Sequence, residues 1–278
     1  MDRKLAVLGS PIDHSKSPQI HSAAYRVLGL PWEYDRFEVR KGGLTNFISS
    51  LDDQWLGLSL TMPLKSEAFR FALETDEFAK QTFAVNTLLR TDTGWRGYNT
   101  DVFGIVESVR QARLDSIESV LIIGSGSTAT SAMSAVAQLG LQIKVSVFAR
   151  NVVDRDKLID FGKALGLAVS RSSNLKKDIS RTDLVIATLP AHALDSQADS
   201  LSKAWFFKPR GAVLDVAYQP WPSKFSALWT KQKLVTISGF EMLLWQAVAQ
   251  IRIFNGLEIG ESLPNEKAVI EAMRHAVA

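Results

Sequence analysis

The sequence predicts an α/β protein of two domains. The first is an N-terminal α/β domain with a mostly parallel sheet, and behind it stands a doubly wound domain. Three observations carry this. Short strand-like runs alternate with helix-compatible stretches along the chain, the order that builds parallel sheets. A glycine turn, Gly124-Ser-Gly-Ser-Thr-Ala129, joins one such strand to one such helix. More than a hundred residues precede that turn, room for a separate first domain.

The elements follow in order. Leu5–Leu8 reads as a strand. Pro18–Leu28 reads as a helix with Ile20, Ala24 and Val27 on one face. Trp32–Val39 reads as a strand, Leu44–Leu51 as a short helix, and Trp55–Leu60 as a strand ending at Thr61-Met-Pro63. A helix follows over Ser66–Leu73. Ala84–Arg90 and Gly94–Tyr98 form a hairpin around Thr91-Asp-Thr-Gly94. Val102–Ala112 is a helix leading to the second domain. There Ser119–Ile123 is a strand, Ala132–Leu139 a helix, and Lys144–Ala149 a strand. Asp183–Ala187, Ala212–Asp215 and Leu234–Ile237 are further strands. Gly239 opens a long helix, Phe240–Phe254, and a last helix starts at Asn265. No internal repeat or low-complexity segment interrupts this order.

Strand, G-x-G-x-x-A and helix in succession make a Rossmann-type dinucleotide site. Gly124 permits the tight turn. Gly126 lets backbone amides approach a pyrophosphate, and Ala129 lets the helix pack close on the strand. With Ser125, Ser127 and Thr128, these residues present unpaired N–H groups to an anion. The same turn also occurs as pure structure, so the next strand matters. It ends at Arg150, with Arg155 nearby, where an NAD site carries an acid for the ribose 2′-hydroxyl. A cation there suits a 2′-phosphate, so the expected cofactor is NADP. Asp154 and Asp156 lie past the strand end and read as solvated or helix-starting acids.

Composition narrows the function. A chain of 278 residues buries about 75% of its unfolded surface and needs no covalent staples. It has no cysteine, which excludes disulfides, thiolate zinc sites and a cysteine nucleophile. That fits a reducing cytoplasm, the expected location. The start, Met-Asp-Arg-Lys, leads straight into a strand, so no signal peptide is expected. No apolar run of about 18 residues marks a membrane span. The net charge of +3 comes without a basic run. Nucleic acid is therefore not an expected partner, whereas a small anionic substrate is.

Four polar clusters fall at the ends of expected strands, where open α/β sheets bind ligands. Ser15 and Ser17, before Pro18, suit an anion, although Ser17 equally suits a helix N-cap. His14 and His21 lack a third ligand, so no metal is expected. Ser59-Leu-Thr61-Met-Pro63-Leu-Lys65 puts a lysine after a strand-end turn. Val85-Asn86-Thr87 and Asn99-Thr100-Asp101 complete the set. Asn86 alone also reads as a turn residue, and Asp101 alone as a cap.

Together these blocks resemble the shikimate dehydrogenase family. That family carries P-I-x-H-S-x-S-P-x-x-H, N-x-T-x-P-x-K, V-N-T and N-T-D-x-x-G stretches ahead of a glycine-turn cofactor domain. Here they stand as Pro11 to His21, Ser59 to Lys65, Val85 to Thr87 and Asn99 to Gly104. Later family marks are Asp215-Val-Ala-Tyr-Gln-Pro220 and Gly239-Phe-Glu-Met-Leu-Leu-Trp-Gln246. The likeness spans nearly the whole chain. Two positions depart from it: Ser59 replaces the usual asparagine, and Ala149-Arg150-Asn151 replaces Asn-Arg-Thr.

The resemblance implies reversible NADPH-dependent reduction of 3-dehydroshikimate to shikimate, a step toward chorismate and the aromatic amino acids. It implies a substrate domain over residues 1–101, completed by 240–278, and an NADP domain over 102–239. Lys65 and Asp101 would be the catalytic pair. Ser15, Ser17 and Tyr218 would hold the carboxylate, and Thr61, Asn86, Asp101 and Gln246 the ring hydroxyls. Gly124 to Ala129, Arg150 and Gly239 would bind the cofactor. The protein would be a monomer or a homodimer. An NAD-dependent quinate/shikimate dehydrogenase is the alternative within the class, and would carry an acid in place of Arg150. A nucleotide-sensing paralogue without catalysis is the alternative outside it, and would have lost Lys65 or Asp101.

Overall fold

The computed structural model describes residues 2–277. The chain forms two compact units, Met1–Gly104 with Leu243–Ala278, and Ile105–Met242. The divisions fall after residues 104 and 242, inside helices, where the sequence placed them after 101 and 239.

The first unit holds β1 (Arg3–Gly9), α1 (Ser17–Leu28), β2 (Trp32–Glu38), α2 (Leu44–Ser49), β3 (Trp55–Leu60), α3 (Lys65–Phe71), β4 (Glu74–Thr75), α4 (Glu77–Thr82), β5 (Thr87–Thr91), β6 (Gly94–Tyr98) and the start of α5 (Asp101–Gln111). Its sheet runs β2-β1-β3-β5-β6-β4. β1 lies between parallel neighbours β2 and β3, and its Leu5-Ala-Val-Leu8 run is buried on both faces. β5 runs antiparallel to both β3 and β6. Ala6, Leu8, Leu58, Leu60, Leu64 and Leu88 form the core on one side of this sheet.

The second unit continues with β7 (Ser119–Ile123), α6 (Ser127–Leu139), β8 (Lys144–Phe148), α7 (Val152–Ala164), β9 (Ala168–Arg171), α8 (Leu175–Ile179), β10 (Leu184–Ala187), α9 (Asp195–Ser202), β11 (Ala212–Asp215), α10 (Ala227–Thr230), β12 (Thr236–Ser238) and the first residues of α11 (Gly239–Phe254). All of its strand pairs are parallel, in the order β12-β11-β10-β7-β8-β9. The order reverses between β7 and β10, which makes the switch point of a doubly wound sheet. The last helix, α12 (Glu266–His275), belongs to the first unit. Among the described residues no helix is long and apolar enough to cross a membrane.

Several elements differ from the sequence reading. The strand expected from Ala84 begins only at Thr87; before it the Val85 N–H is committed to the Lys65 carbonyl instead of a strand neighbour. α6 begins at Ser127 rather than Ala132, directly out of the glycine turn. β4 and α4 were not read at all. α4 stands on a cap, Asp76, whose carboxylate accepts the Ala79 N–H at 2.8 Å. α7 to α10 were also unread: α7 exposes Val152 and Val153, which blurs its apolar stripe. Edge strand β9 is mostly exposed and is recognisable only through its pairing with β8.

One buried group couples this fold to pH. His21 on α1 is wholly buried and stacks on Tyr34 of β2 with ring centroids 3.9 Å apart. Its Nδ1 lies 3.1 Å from the Tyr25 hydroxyl. Burial pushes its pKa down from 6.5 to about 3. The unfolded chain therefore takes a proton at His21 below about pH 6.5 that the folded chain refuses. Its stabilising contribution is complete above that pH and is lost as pH falls toward 3, by up to about 1.4 kcal/mol per pH unit. Asp76 and Asp215, raised by burial, act in the opposite sense. A His21→Phe variant isolates the histidine. Between pH 6.5 and 4 its melting temperature should fall less steeply than that of the wild-type protein, and equal slopes would remove His21 as the cause.

Candidate active site

In the first unit, one sheet edge collects the polar clusters. β1 and β3 are parallel, so Gly9 and Leu60 end side by side and release the chains bearing Ser15, Ser17 and Thr61. β5 is antiparallel, with Thr87 opposite Ser59 on one side and Tyr98 on the other. The start of β5 and the end of β6 therefore reach that same edge. Asn86 and Asp101 follow from this. The third cluster is thus at the beginning of a strand, not at its end as the sequence reading had it.

At this edge four of the expected residues meet directly. Lys65, first residue of α3, donates from Nζ to Asp101 Oδ2 at 2.5 Å. Both side chains are largely shielded, with 12% and 6% exposure. Asn86 Nδ2 donates to Asp101 Oδ1 at 2.9 Å and lies 3.5 Å from Gln246 Oε1 on α11. Asp101 is the first residue of α5, and its carboxylate is spent on Lys65 and Asn86 rather than on capping. Asn86 is likewise no mere turn residue, since its amide is buried at the centre of the cluster.

Ser15 and Ser17 are both buried on the way into α1. The N-cap position is Lys16, with Ser17 inside the helix, so Ser17 does not cap it. Ser15 Oγ accepts the Ser17 N–H at 3.4 Å. Thr61 sits beside Gly9 and is half-buried in the turn between β3 and α3. Ser59, which stands where the family carries asparagine, is buried, accepts from Tyr34 at 2.6 Å and donates to Gln250 Oε1 at 2.9 Å. Tyr34 and Gln250 were missed, and Thr87 and Thr100, though within the named clusters, were given no role of their own. Gln250 had a signal: it lies one helical turn after Gln246, on the same face of a mostly apolar helix.

In the second unit, a groove of about 270 Å³ lies against the glycine turn, lined by Gly124, Ser125, Gly126, Arg150, Asn151, Leu189 and Gln197 among others. Gly124 has φ +122°, and a side chain there would meet Thr188 Oγ1 at 2.3 Å. Gly126 heads α6, where a side chain would meet nothing within 4 Å. Ala129 is buried against the sheet, while Ser125, Ser127 and Thr128 remain partly or fully exposed. No side chain caps α6 and no acid stands in its first turn, so its N–H groups suit an anion.

Arg150, exposed at the end of β8, lines the groove, and its guanidinium has no partner among the described residues. Arg155 is different: it is buried and paired with Asp156 at 2.8 Å. Asp154 is held by Asn151, the cap of α7, and by Lys157. A cradle with open space at Gly126 and one unpartnered arginine at the second strand fits a dinucleotide with a 2′-phosphate. Tyr218 follows β11, and burial raises its phenol pKa. Gly239 opens α11, where a side chain would strike the Val216 carbonyl at 2.1 Å. Its close backbone approach needs glycine irrespective of any ligand.

The two glycines of the turn should therefore separate under mutation. Gly124→Ala forces a side chain into a left-handed conformation and should cost about 1–3 kcal/mol of stability. Gly126→Ala has space and an ordinary φ of −86°, so its melting temperature should stay put while NADP affinity falls. Undiminished NADP binding by Gly126→Ala would show that this turn is not the phosphate cradle.

Comparison with known proteins agrees with both halves of this geometry. Residues 7–88 match the shikimate dehydrogenase substrate binding domain, and residues 99–217 the alanine dehydrogenase/PNT C-terminal domain. The NADP(+) shikimate dehydrogenase of Nitrosopumilus maritimus is 30% identical over 93% of this chain and 95% of its own. The shikimate dehydrogenase structure from Mycobacterium tuberculosis superposes with a TM-score of 0.85 at 35% identity, covering 98% of this chain and 99% of its own. The Thermus thermophilus shikimate 5-dehydrogenase, solved with NADP(H) and shikimate, gives a TM-score of 0.82 at 27% identity over 99% of each chain. With both units matched in full-length relatives, the chain belongs to the shikimate dehydrogenase family.

Proposed function

We propose that this chain catalyses the reversible NADPH-dependent reduction of 3-dehydroshikimate to shikimate. The observation that carries the reading is the shielded Lys65–Asp101 pair, bordered by Asn86 and Gln246. The first unit is the substrate-binding part and the second the NADP-binding part.

NADPH, when bound, supplies the hydride to the ketone carbon. Gly124 to Ala129 would cradle its pyrophosphate, Arg150 would meet its 2′-phosphate, and Gly239 would lie at the margin of its site. The remaining work falls to side chains of the first unit, joined by Tyr218. The Lys65 ammonium donates a proton to the ketone oxygen as that oxygen gains charge, so that the carbonyl becomes a hydroxyl. Asp101 accepts a hydrogen bond from Lys65 and holds the ammonium on its target. In the oxidative direction the same nitrogen, unprotonated, removes the hydroxyl proton. Thr61, Asn86, Asp101 and Gln246 bind the ring hydroxyls. Ser15, Ser17 and Tyr218 hold the carboxylate, which is remote from the reacting carbon and so is gripped alike in ground and transition states.

A spectrophotometric assay of shikimate against quinate, each with NADP and NAD, tests the reading directly. Activity is expected with shikimate and NADP, and its absence would sink the assignment. Lys65→Ala should lower kcat about 10²–10⁴-fold, the usual scale for a positioned acid and base. The Lys65→Ala/Asp101→Ala double variant should be little worse than the poorer single one, because the two act as a unit. Independent, multiplying losses would break up the pair.

Arg150→Ala should weaken NADP binding while leaving NAD nearly untouched. A charge-assisted hydrogen bond nets about 1.5–3 kcal/mol, or about ten- to a hundredfold in affinity. Equal losses for the two cofactors would show that Arg150 does not read the 2′-phosphate.

A further inference from the structure

Four side chains outside the proposed reacting and ligand-binding set, Tyr34, Ser59, Thr87 and Gln250, are buried and hydrogen-bonded in series. Two backbone groups determine the direction of every bond. The Asn86 carbonyl can only accept, and it lies 3.2 Å from Gln250 Nε2. That end of the amide is therefore the NH2, and Oε1 faces Ser59. An amide oxygen only accepts, so Ser59 donates to Gln250. The proton of Ser59 is then spent, and the Tyr34 hydroxyl must donate to it.

The other end is governed in the same way. The Thr100 N–H can only donate, and it reaches Asn86 Oδ1 at 2.9 Å. The Asn86 NH2 therefore faces Asp101. Between them, Thr87 Oγ1 accepts from Gln250 Nε2 at 2.9 Å and donates to Asn86 Oδ1 at 2.9 Å. All the bonds point one way: Tyr34 to Ser59, to Gln250, to Thr87, to Asn86, to Asp101.

We propose that Tyr34, Ser59 and Gln250 are positioning residues, which lock the Asn86 amide and through it aim the Asp101 carboxylate at Lys65. The proposal rests on the reading of Lys65 and Asp101 as the reacting pair. Its physical basis is the cost of reversal. A flipped Asn86 would set its oxygen against the Asp101 carboxylate and its NH2 against the Thr100 N–H. Aligned bonds in a shielded site also polarise one another, so each strengthens the next. On this account Ser59 is part of the frame around the substrate and not one of its ligands, since its proton and an acceptor lone pair are used within the protein.

The test is the rate of shikimate oxidation with NADP in Tyr34→Phe, Ser59→Ala and Gln250→Met. Tyr34→Phe breaks one link, Ser59→Ala two and Gln250→Met three; kcat should fall by up to about tenfold in Tyr34→Phe, the worth of one neutral hydrogen bond, and by at least as much in the other two. The KM for NADP should not change. The same substitutions in an Asp101→Ala background, where no carboxylate remains to be aimed, should change kcat by less than about twofold. Equal fractional losses in both backgrounds would mean a merely structural role and overturn the proposal. Tyr34→Phe keeps the ring that stacks on His21, and it decides the matter if the other two fail to fold.

A second measurement does not depend on activity. In protein labelled with 15N-asparagine, the Asn86 side-chain NH2 signals should move in Tyr34→Phe, four links away from the substitution. Unmoved signals would overturn the chain. A wild-type protein inactive on shikimate would instead overturn the proposed reaction, and the NH2 signals would still decide whether the chain exists.

Discussion

Taking a lysine and an aspartate out of water costs several kcal/mol per ion, which only close pairing and further hydrogen bonds offset. Lys65 and Asp101 meet that demand at the sheet edge of the first unit. One carboxylate oxygen takes Lys65 and the other takes Asn86. The Asp101 N–H is held in turn by Asn99 Oδ1 at 3.1 Å. Much of the local architecture serves this pair. It requires the first turn of α3, the start of β5 and the start of α5 in one place. The antiparallel insertion of β5 between β3 and β6 is what brings them there.

The site also has a long-range strut. The Asn86 backbone bonds Leu60 and Tyr98 on the two neighbouring strands, and its side-chain amide is held by Thr87, Thr100 and Asp101. Gln250 supplies the strut from α11, more than 160 residues along the chain, by bonding both the Asn86 carbonyl and Thr87. α11 is itself anchored at Arg252, which is buried and paired with Glu266 at 2.7 Å. Gln246 and Gln250 thus enter the site on one rigid helix, a turn apart.

The second unit solves its problem with backbone instead of side chains. An anion at a helix N-terminus is met by N–H groups that have no other partner. What the sequence must provide there is the absence of competitors: no acid in the first turn of α6, no capping side chain, and glycine where a side chain would fill the cradle. The one charged contribution, Arg150, stands at the end of β8 and is exposed.

The sequence by itself determined the fold class, the glycine turn and the identity of the polar clusters. These depend on local patterns: short apolar runs, turn residues, and spacings of a few positions. It placed Lys65, Asn86, Asp101 and Gln246 in a common set through resemblance, but not in contact. It also left α4 and α7 to α10 unread, because short or weakly amphipathic elements owe their form to neighbours in space. Tertiary structure alone decided which polar group is spent and which is free. Arg150 and Arg155 are the same residue five positions apart, yet Asp156 occupies one and leaves the other. Ser59 stands in the sequence only as a departure from the family pattern, and in the fold Tyr34 and Gln250 claim its hydroxyl. A hydrogen bond has one donor and one acceptor, and residues 25 and 191 positions away claimed both roles. No local pattern encodes that assignment; only the folded chain makes it.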